Sequence, residues 1–322
     1  MKAIVCNDFG PIQNIEYKDV NEPIIQDESV IINVKSVGVN FPDGLLVQGK
    51  YQLKPDTPFI PGMEVAGEIV KIGPNVSSLK IGDRVAALSQ LSGYAEQAVI
   101  QEKSVFKIPS KMSFDDSCAL LCAYGTSHYA LKQRANLKKN ELLVVLGASG
   151  STGIAAIQIG KIMGAKVIAV SSNSEKQKIA KDNGADISIG YDNLKEELKS
   201  ISNGKGIDVI FDPVGGDIFD TIARTMARSG RLLVIGFASG TIPKLAVNLA
   251  LVKEFSVVGV FWGAFTRSEP IEYKQNMIEL FNWYKEGLLK PLIQDSYPLS
   301  EAAVVLEKIL ARGAKGKMIL KP

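Results

Sequence analysis

From residue 1 to about residue 119, apolar and polar positions alternate in short runs. Val30-Ile31-Ile32-Asn33-Val34 and Glu68-Ile69-Val70-Lys71-Ile72 are examples, and Gly and Pro separate them. A period of two bounded by turn residues predicts half-buried strands, so this region reads as a mostly β domain. From Glu141 the pattern changes to apolar runs alternating with amphipathic stretches, the sequence form of repeated βαβ units. Strands are predicted over 142–146, 167–171, 186–189, 208–212, 231–235 and 255–260, with helices over 154–163, 174–182, 194–201 and 217–227 between them. Six such strands complete a doubly wound parallel sheet. Two longer helices, 271–286 and 299–310, and a strand, 316–320, follow Gly263, and this tail is expected to pack back on the β domain. A helix over 117–133 is expected to link the domains, with a ligand cleft opening nearby.

A chain of 322 residues with 46% hydrophobic and 22% charged residues suits two soluble domains. The net charge of +3 is spread without a run of like charges, which gives no reason to expect nucleic acid or an anionic membrane as partner. The opening Met1-Lys2-Ala3-Ile4-Val5 has no signal-peptide pattern, and no segment reaches the roughly 18 apolar residues of a membrane span. The three cysteines, Cys6, Cys118 and Cys122, fit neither a disulfide framework nor a zinc knuckle. They read as reduced thiols of a cytoplasmic protein. Cys118 and Cys122 lie one helical turn apart and could form a redox pair, although small core residues are the better reading.

The strand 142–146 runs directly into Gly147-Ala148-Ser149-Gly150-Ser151-Thr152-Gly153 and an apolar helix. This is a dinucleotide fingerprint in its proper setting. The first glycine allows the tight turn, the second lets backbone approach a pyrophosphate, and the third lets helix and strand pack closely. The phosphates are expected at the N–H groups of Ser151 and Thr152. An NAD enzyme would place Asp or Glu at the end of the second strand, about 20 residues on. Here that strand ends in Ser171-Ser172-Asn173, with Lys176 within a turn and Tyr191 after the third strand. No carboxylate is there to repel a 2′-phosphate, so NADPH is favoured over NADH. Phe237, Val260, Phe261 and Trp262, near the fifth and sixth strands, are placed to close over the nicotinamide; core packing serves Trp262 equally well.

With the stretches Val37-Gly38-Val39-Asn40-Phe41-Pro42-Asp43, Pro61-Gly62-Met63-Glu64-Val65-Ala66-Gly67, Gly82-Asp83-Arg84-Val85 and Gly93-Tyr94-Ala95-Glu96, the chain resembles the zinc-free quinone oxidoreductases of the medium-chain dehydrogenase/reductase superfamily. The resemblance runs from end to end. It implies a GroES-like catalytic domain over residues 1–121, a Rossmann domain over 122–260, and a return to the catalytic domain over 261–322. The catalytic zinc ligands of the zinc-dependent members, a Cys and a His, correspond to Asn40 and Met63, so no metal is expected. Glu64 is expected to be a buried, hydrogen-bonded structural carboxylate, and the single histidine, His128, to be structural. By resemblance Asn40, Asp43, Tyr51 and Thr126 face the nicotinamide and acceptor, with Tyr51 the preferred proton donor. Lys317 is included among the cofactor-binding residues.

Without a Lewis acid the substrate must accept hydride readily, as quinones do on regaining aromaticity. NADPH-dependent quinone reduction is therefore the first reading. The alternative is reduction of an enone or enoyl thioester, for which Arg267, Lys315 and Lys317 are the local candidates for a CoA phosphate site. A third reading, a binding role without turnover, lacks the basic, aromatic-rich strip that nucleic-acid binding would need. Resemblance also implies a homodimer paired through the sixth Rossmann strand.

Overall fold

The computed structural model describes residues 1–322 as two compact units, Met1–Cys122 with Pro291–Pro322, and Ala123–Lys290. The first unit carries strands β1 (Lys2–Val5), β2 (Glu16–Asp19), β3 (Ser29–Gly38), β4 (Glu64–Ile72), β5 (Arg84–Leu88), β6 (Gln97–Gln101) and β7 (Val105–Lys107). The second carries β8 (Leu142–Leu146), β9 (Lys166–Val170), β10 (Ile187–Ile189), β11 (Ile207–Asp212), β12 (Met226–Val234) and β13 (Ser256–Gly259). The chain then returns to the first unit for β14 (Ile293–Pro298) and β15 (Lys317–Lys321).

In the first unit β1 and β2 form a ribbon, and the main sheet runs β14-β15-β3-β4-β5-β7 with β6 also on β3. Its alternating residues Val30, Ile32, Val34, Val65, Ile69 and Val85 meet in one core. Helix Ala302–Leu310 buries Ala302, Val305, Leu306 and Ile309 against that core, a stripe at three- and four-residue spacing. The mostly β domain read from the alternation is what the chain builds.

The second unit holds a six-stranded parallel sheet in the order β10-β9-β8-β11-β12-β13. Its strands read as continuous apolar runs because helices cover both faces, and Val144, Leu146, Ile168, Val170 and Ile210 are fully buried. Sequential connections run outward from β8 to β9 and β10, then reverse to β11 on the other side. A switch point therefore lies between β8 and β11, where open α/β sheets bind ligands beyond the strand carboxyl ends. This is the Rossmann topology expected from the repeats.

Three features depart from the sequence reading. The helix expected over 217–227 ends at Ala223, and β12 already begins at Met226, which pairs with Ile207 before an irregularity brings Arg231 opposite Val209. Short helices Phe41–Val47, Val247–Lys253 and Trp262–Ser268 were not anticipated, each being two turns or less and lacking a measurable period. Residues 261–290 stay with the second unit rather than joining the catalytic domain. The reason is aromatic packing within that unit. Tyr129 stacks on Phe265 at 4.1 Å, the Trp262 ring covers Gly125 so closely that an added Cβ would lie 2.5 Å from it, and Tyr273 meets Trp262 edge-on. Only 291–322 returns.

The expected linking helix extends from Phe114 to Arg134, interrupted by π-helical turns at Leu120–Tyr124 and Ala130–Arg134. No helix is long and apolar enough to cross a membrane.

Candidate active site

In the second unit, the fingerprint loop leaves β8 with Gly147 at φ +57°, a left-handed conformation that favours glycine. Gly153 sits in the first turn of helix Ser151–Ile162, where a Cβ would lie 2.5 Å from the Gly147 carbonyl oxygen and 2.8 Å from the Ala148 Cα. Both are backbone atoms, so only glycine fits. Gly150 caps the helix in an extended conformation, and a Cβ there would meet only Gly147 O at 3.5 Å. No atom of the protein crowds that position. Ser149 is buried, and Ser151 and Thr152 begin the helix.

The other predicted cofactor residues of this unit gather at the same carboxyl edge of the sheet. Ser171 follows β9; it is 2% exposed and its hydroxyl has no partner. Lys176 lies half-buried in the first turn of helix Ser174–Asp182, its N–H donating to the Asn173 side chain at 2.9 Å. Tyr191 follows β10, and its hydroxyl accepts from the Gly147 N–H at 3.2 Å, directly on the glycine turn. Phe237 follows β12 against Gly215, while Val260 is buried and Phe261 53% exposed just past β13. Trp262 is buried and takes the packing role. The end of β9 carries no carboxylate. Sequence reasoning missed Asp212 at the end of β11, a buried side chain that accepts from the Val214 and Gly215 N–H groups and so fixes the turn beside the switch point. Burial pushes its carboxyl above the ordinary range despite those bonds.

Thr126 stands in the helical turn Gly125–Tyr129, next to Ser127, whose hydroxyl donates to the Thr152 carbonyl at 2.9 Å. The turn is thus tied to the start of the fingerprint helix. His128 is buried, with Nε2 on Glu279 at 2.8 Å, and Glu279 also pairs with Lys132. Burial drives its pKa down to about 4, against the pull of Glu279. The imidazole is neutral at ordinary pH and ties two helices together.

Asn40, Asp43 and Lys317 converge in the first unit. Asn40 precedes helix Phe41–Val47, and its N–H donates to Asp43 Oδ2 at 2.8 Å. Tyr94, fully buried, donates its hydroxyl to the same oxygen at 3.0 Å. Gly62, at φ +104°, makes room for that ring, since a Cβ there would lie 2.3 Å from Tyr94 Cδ1. Asp43 Oδ1 has no partner, and burial raises the carboxyl pKa to about 7 against the Asn40 N–H, the Lys317 charge and the Tyr94 hydroxyl. Glu64, also fully buried, accepts from Asn40 Nδ2 at 3.0 Å and from the Cys122 N–H at 2.8 Å, and forms an ion pair with Lys317. Lys317 Nζ donates to Asn40 Oδ1 at 2.8 Å. Burial opposes the Lys317 charge, yet Glu64 holds its pKa above the ordinary lysine value. Tyr51 lies half-buried and packs against the first unit's core.

Zinc does not suit this cluster. The positions that would supply Cys and His are Asn40 and Met63, and a buried ammonium already occupies the space beside Glu64. Burial and the Glu64 charge push the Cys118 and Cys122 thiols well above the ordinary value. No group of three His, Cys, Asp or Glu side chains could hold a metal ion. Lys317, expected at the cofactor, is 2% exposed, and its ammonium bonds to Asn40 and Glu64 inside the first unit.

A GroES-like domain and a Rossmann domain in one chain define an oxidoreductase class, and comparison with known proteins agrees. The alcohol dehydrogenase GroES-like domain matches residues 26–110, and the zinc-binding dehydrogenase domain matches residues 151–283. A quinone oxidoreductase-like protein 2 homolog of Nematostella vectensis is 37% identical over 99% of this chain and 88% of its own length. Human quinone oxidoreductase is 35% identical over 99% of this chain and 97% of its own. The structure of Escherichia coli quinone oxidoreductase complexed with NADPH superposes with a TM-score of 0.93 at 26% identity, covering 100% of both chains. The chain belongs to the quinone oxidoreductase family of the medium-chain dehydrogenase/reductase superfamily.

Proposed function

We propose that this chain is an NADPH-dependent quinone reductase that works without a metal. The observation that carries the reading is the carboxyl edge of the six-stranded sheet. There the glycine turn, Ser149, Ser151 and Thr152 offer a pyrophosphate site, while the end of β9 offers Ser171 and Lys176 and no carboxylate. A 2′-phosphate meets no carboxylate at the strand end itself, Glu175 lying in the first turn of the next helix, and Lys176 and Tyr191 are the residues that bind it. The unpartnered Ser171 hydroxyl and the glycine at 150 both await a ligand on this edge. Phe237, Val260 and Phe261 extend the same edge toward the nicotinamide end.

NADPH supplies hydride; the quinone takes it and one proton to become a hydroquinone, leaving NADP⁺. What the protein adds is orientation, exclusion of water and hydrogen bonding. Asn40 is the group of its cluster that reaches the surface and presents an amide to the acceptor or nicotinamide, with Asp43 holding its backbone. Tyr51 donates its phenolic proton to the acceptor oxygen, and Thr126, anchored through Ser127, supports the nicotinamide. The ammonium of Lys317 beside Glu64 stands where a zinc enzyme would need open ligands, so turnover is metal-independent.

The chain works as a homodimer in the cytoplasm. β13 is an edge strand with Val257 exposed, and the preceding helix leaves Val247, Leu251 and Val252 bare. Such an edge suits pairing with a second copy. The three cysteines are free, as a reducing compartment requires.

Protein dialysed against a chelator should oxidise NADPH with a benzoquinone at an undiminished rate, and NADH at least about tenfold less efficiently, the equivalent of about 1.4 kcal/mol. Loss of turnover on chelation, or a preference for NADH, would refute the respective half of the proposal.

A further inference from the structure

We propose that Lys317 is a positioning residue for Asn40: together with Glu64 it locks the Asn40 amide in one orientation, and it acts on turnover through that amide rather than by touching the cofactor. The proposal rests on the reading that Asn40 meets the acceptor or nicotinamide.

The amide has two orientations related by a half-turn, and the surrounding charges choose between them. Its carbonyl oxygen accepts from Lys317 Nζ at 2.8 Å, and its nitrogen donates to Glu64 Oε1 at 3.0 Å. The flipped amide would set NH₂ against the ammonium and the carbonyl against the carboxylate, two repulsions in place of two charge-assisted bonds. The main chain of Asn40 is held independently by Asp43 Oδ2. Both ends of the residue are therefore fixed.

The sequence makes room for this arrangement. Gly38, the last residue of β3, has a negative φ and needs no conformational freedom. A Cβ there would lie 2.1 Å from Glu64 Oε1 and 2.7 Å from Lys317 Cε, so glycine is what lets the pair reach Asn40. Residues from four places in the chain converge: Asn40 and Asp43 around the start of a helix, Glu64 on β4, Tyr94 before β6 and Lys317 on β15. Of these five, Asp43, Glu64, Tyr94 and Lys317 are 0–2% exposed, and Asn40 alone is half-buried. Of the five, Asn40 is the one a ligand can touch. A buried cation that cannot reach solvent is not a phosphate anchor, which separates this role from a cofactor contact.

The variants are K317M, which keeps length and loses charge, K317R, N40A and K317M/N40A. Replacing both members of a buried ion pair is usually tolerated where removing one is not. The double substitution K317M/E64Q therefore repeats the comparison if K317M does not fold. With the best acceptor of the wild type, K317M is expected to lose about tenfold or more in kcat, as for a charge-assisted hydrogen bond, while the Kd for NADPH holds within about threefold. K317R should recover part of the loss. N40A should lose as much as K317M, and the pair together no more than either, as for residues acting as one unit. A raised NADPH Kd with kcat kept would make Lys317 a cofactor contact and overturn the proposal. Multiplying losses in K317M/N40A, or a fall in Tm with kcat unchanged, would overturn it equally. Selective ¹⁵N labelling of asparagine gives a readout free of activity: the Asn40 side-chain NH₂ protons should exchange slowly in the wild type and fast in K317M. Equal exchange in both contradicts the proposal even if no quinone is ever turned over, whereas failure of quinone turnover alone strikes only the functional reading.

Discussion

Glycines 150 and 153 separate two reasons for lacking a side chain. At Gly153 a Cβ collides with backbone, so Gly153→Ala should cost about 1–3 kcal/mol of stability by overpacking and weaken NADPH binding as the loop shifts. Gly150→Ala meets only a contact at 3.5 Å and should leave Tm unchanged while weakening NADPH binding. Thermal unfolding beside a fluorescence titration with NADPH distinguishes them, and equal Tm losses would contradict the assignment. Asp43 gives a pH signature. Its folded pKa of about 7 lies above the unfolded value of about 3.9, so between these values the folded state binds more protons and Asp43 lowers stability as pH rises. Asp43→Asn removes that slope. The Tm of the variant minus that of the wild type should therefore climb from pH 5 to pH 8, while the opposite trend from His128, common to both proteins, cancels. A difference flat in pH would refute the raised pKa. The sequence named Asn40, Asp43 and Glu64 through their motifs, and Glu64 is the buried, bonded carboxylate expected of it. The bonds of Lys317 to Asn40 and Glu64 were not legible, because these partners lie far off in the chain and no local pattern reports a tertiary ion pair.

The apolar runs predicted strands well where they are buried on both faces: β8 matches to the residue, and β9 and β11 to within one or two; the exposed edge strand β13 matches as closely. Prediction failed where tertiary pairing extended a strand, as in β12, whose first residues include Arg228 and Ser229 and carry no strand signal. Short helices such as Phe41–Val47 escaped because the Asn-Phe-Pro-Asp start was read for chemistry and not as a helix beginning. The edge strand β13 allows a test at its own level. Val257 is 38% exposed with no strand beyond it, so Val257→Glu should leave a folded chain that sediments as monomer where the wild type sediments as dimer. A dimeric variant, or a monomeric wild type, would dispose of pairing through this edge.

Both domains were legible along the whole chain, because a period of two gives way to βαβ alternation at one point. Their boundary near the C-terminal end was not. Helical periodicity over 271–286 is the same whichever partner the helix covers, and what keeps it in the second unit is the contact of Trp262 and Phe265 with the linking helix and of Tyr273 with Trp262, a pairing that no spacing reveals. For the nucleotide the sequence was more informative, since turn, helix start and strand end are local features. For the acceptor it offered only the family pattern. The most direct test of the account is therefore the rate of NADPH oxidation by the purified chain with a benzoquinone, a naphthoquinone, an enone and an acryloyl thioester. The account predicts the highest kcat/KM with a quinone; turnover confined to the enone or thioester would contradict it and make the chain an enoyl-type reductase.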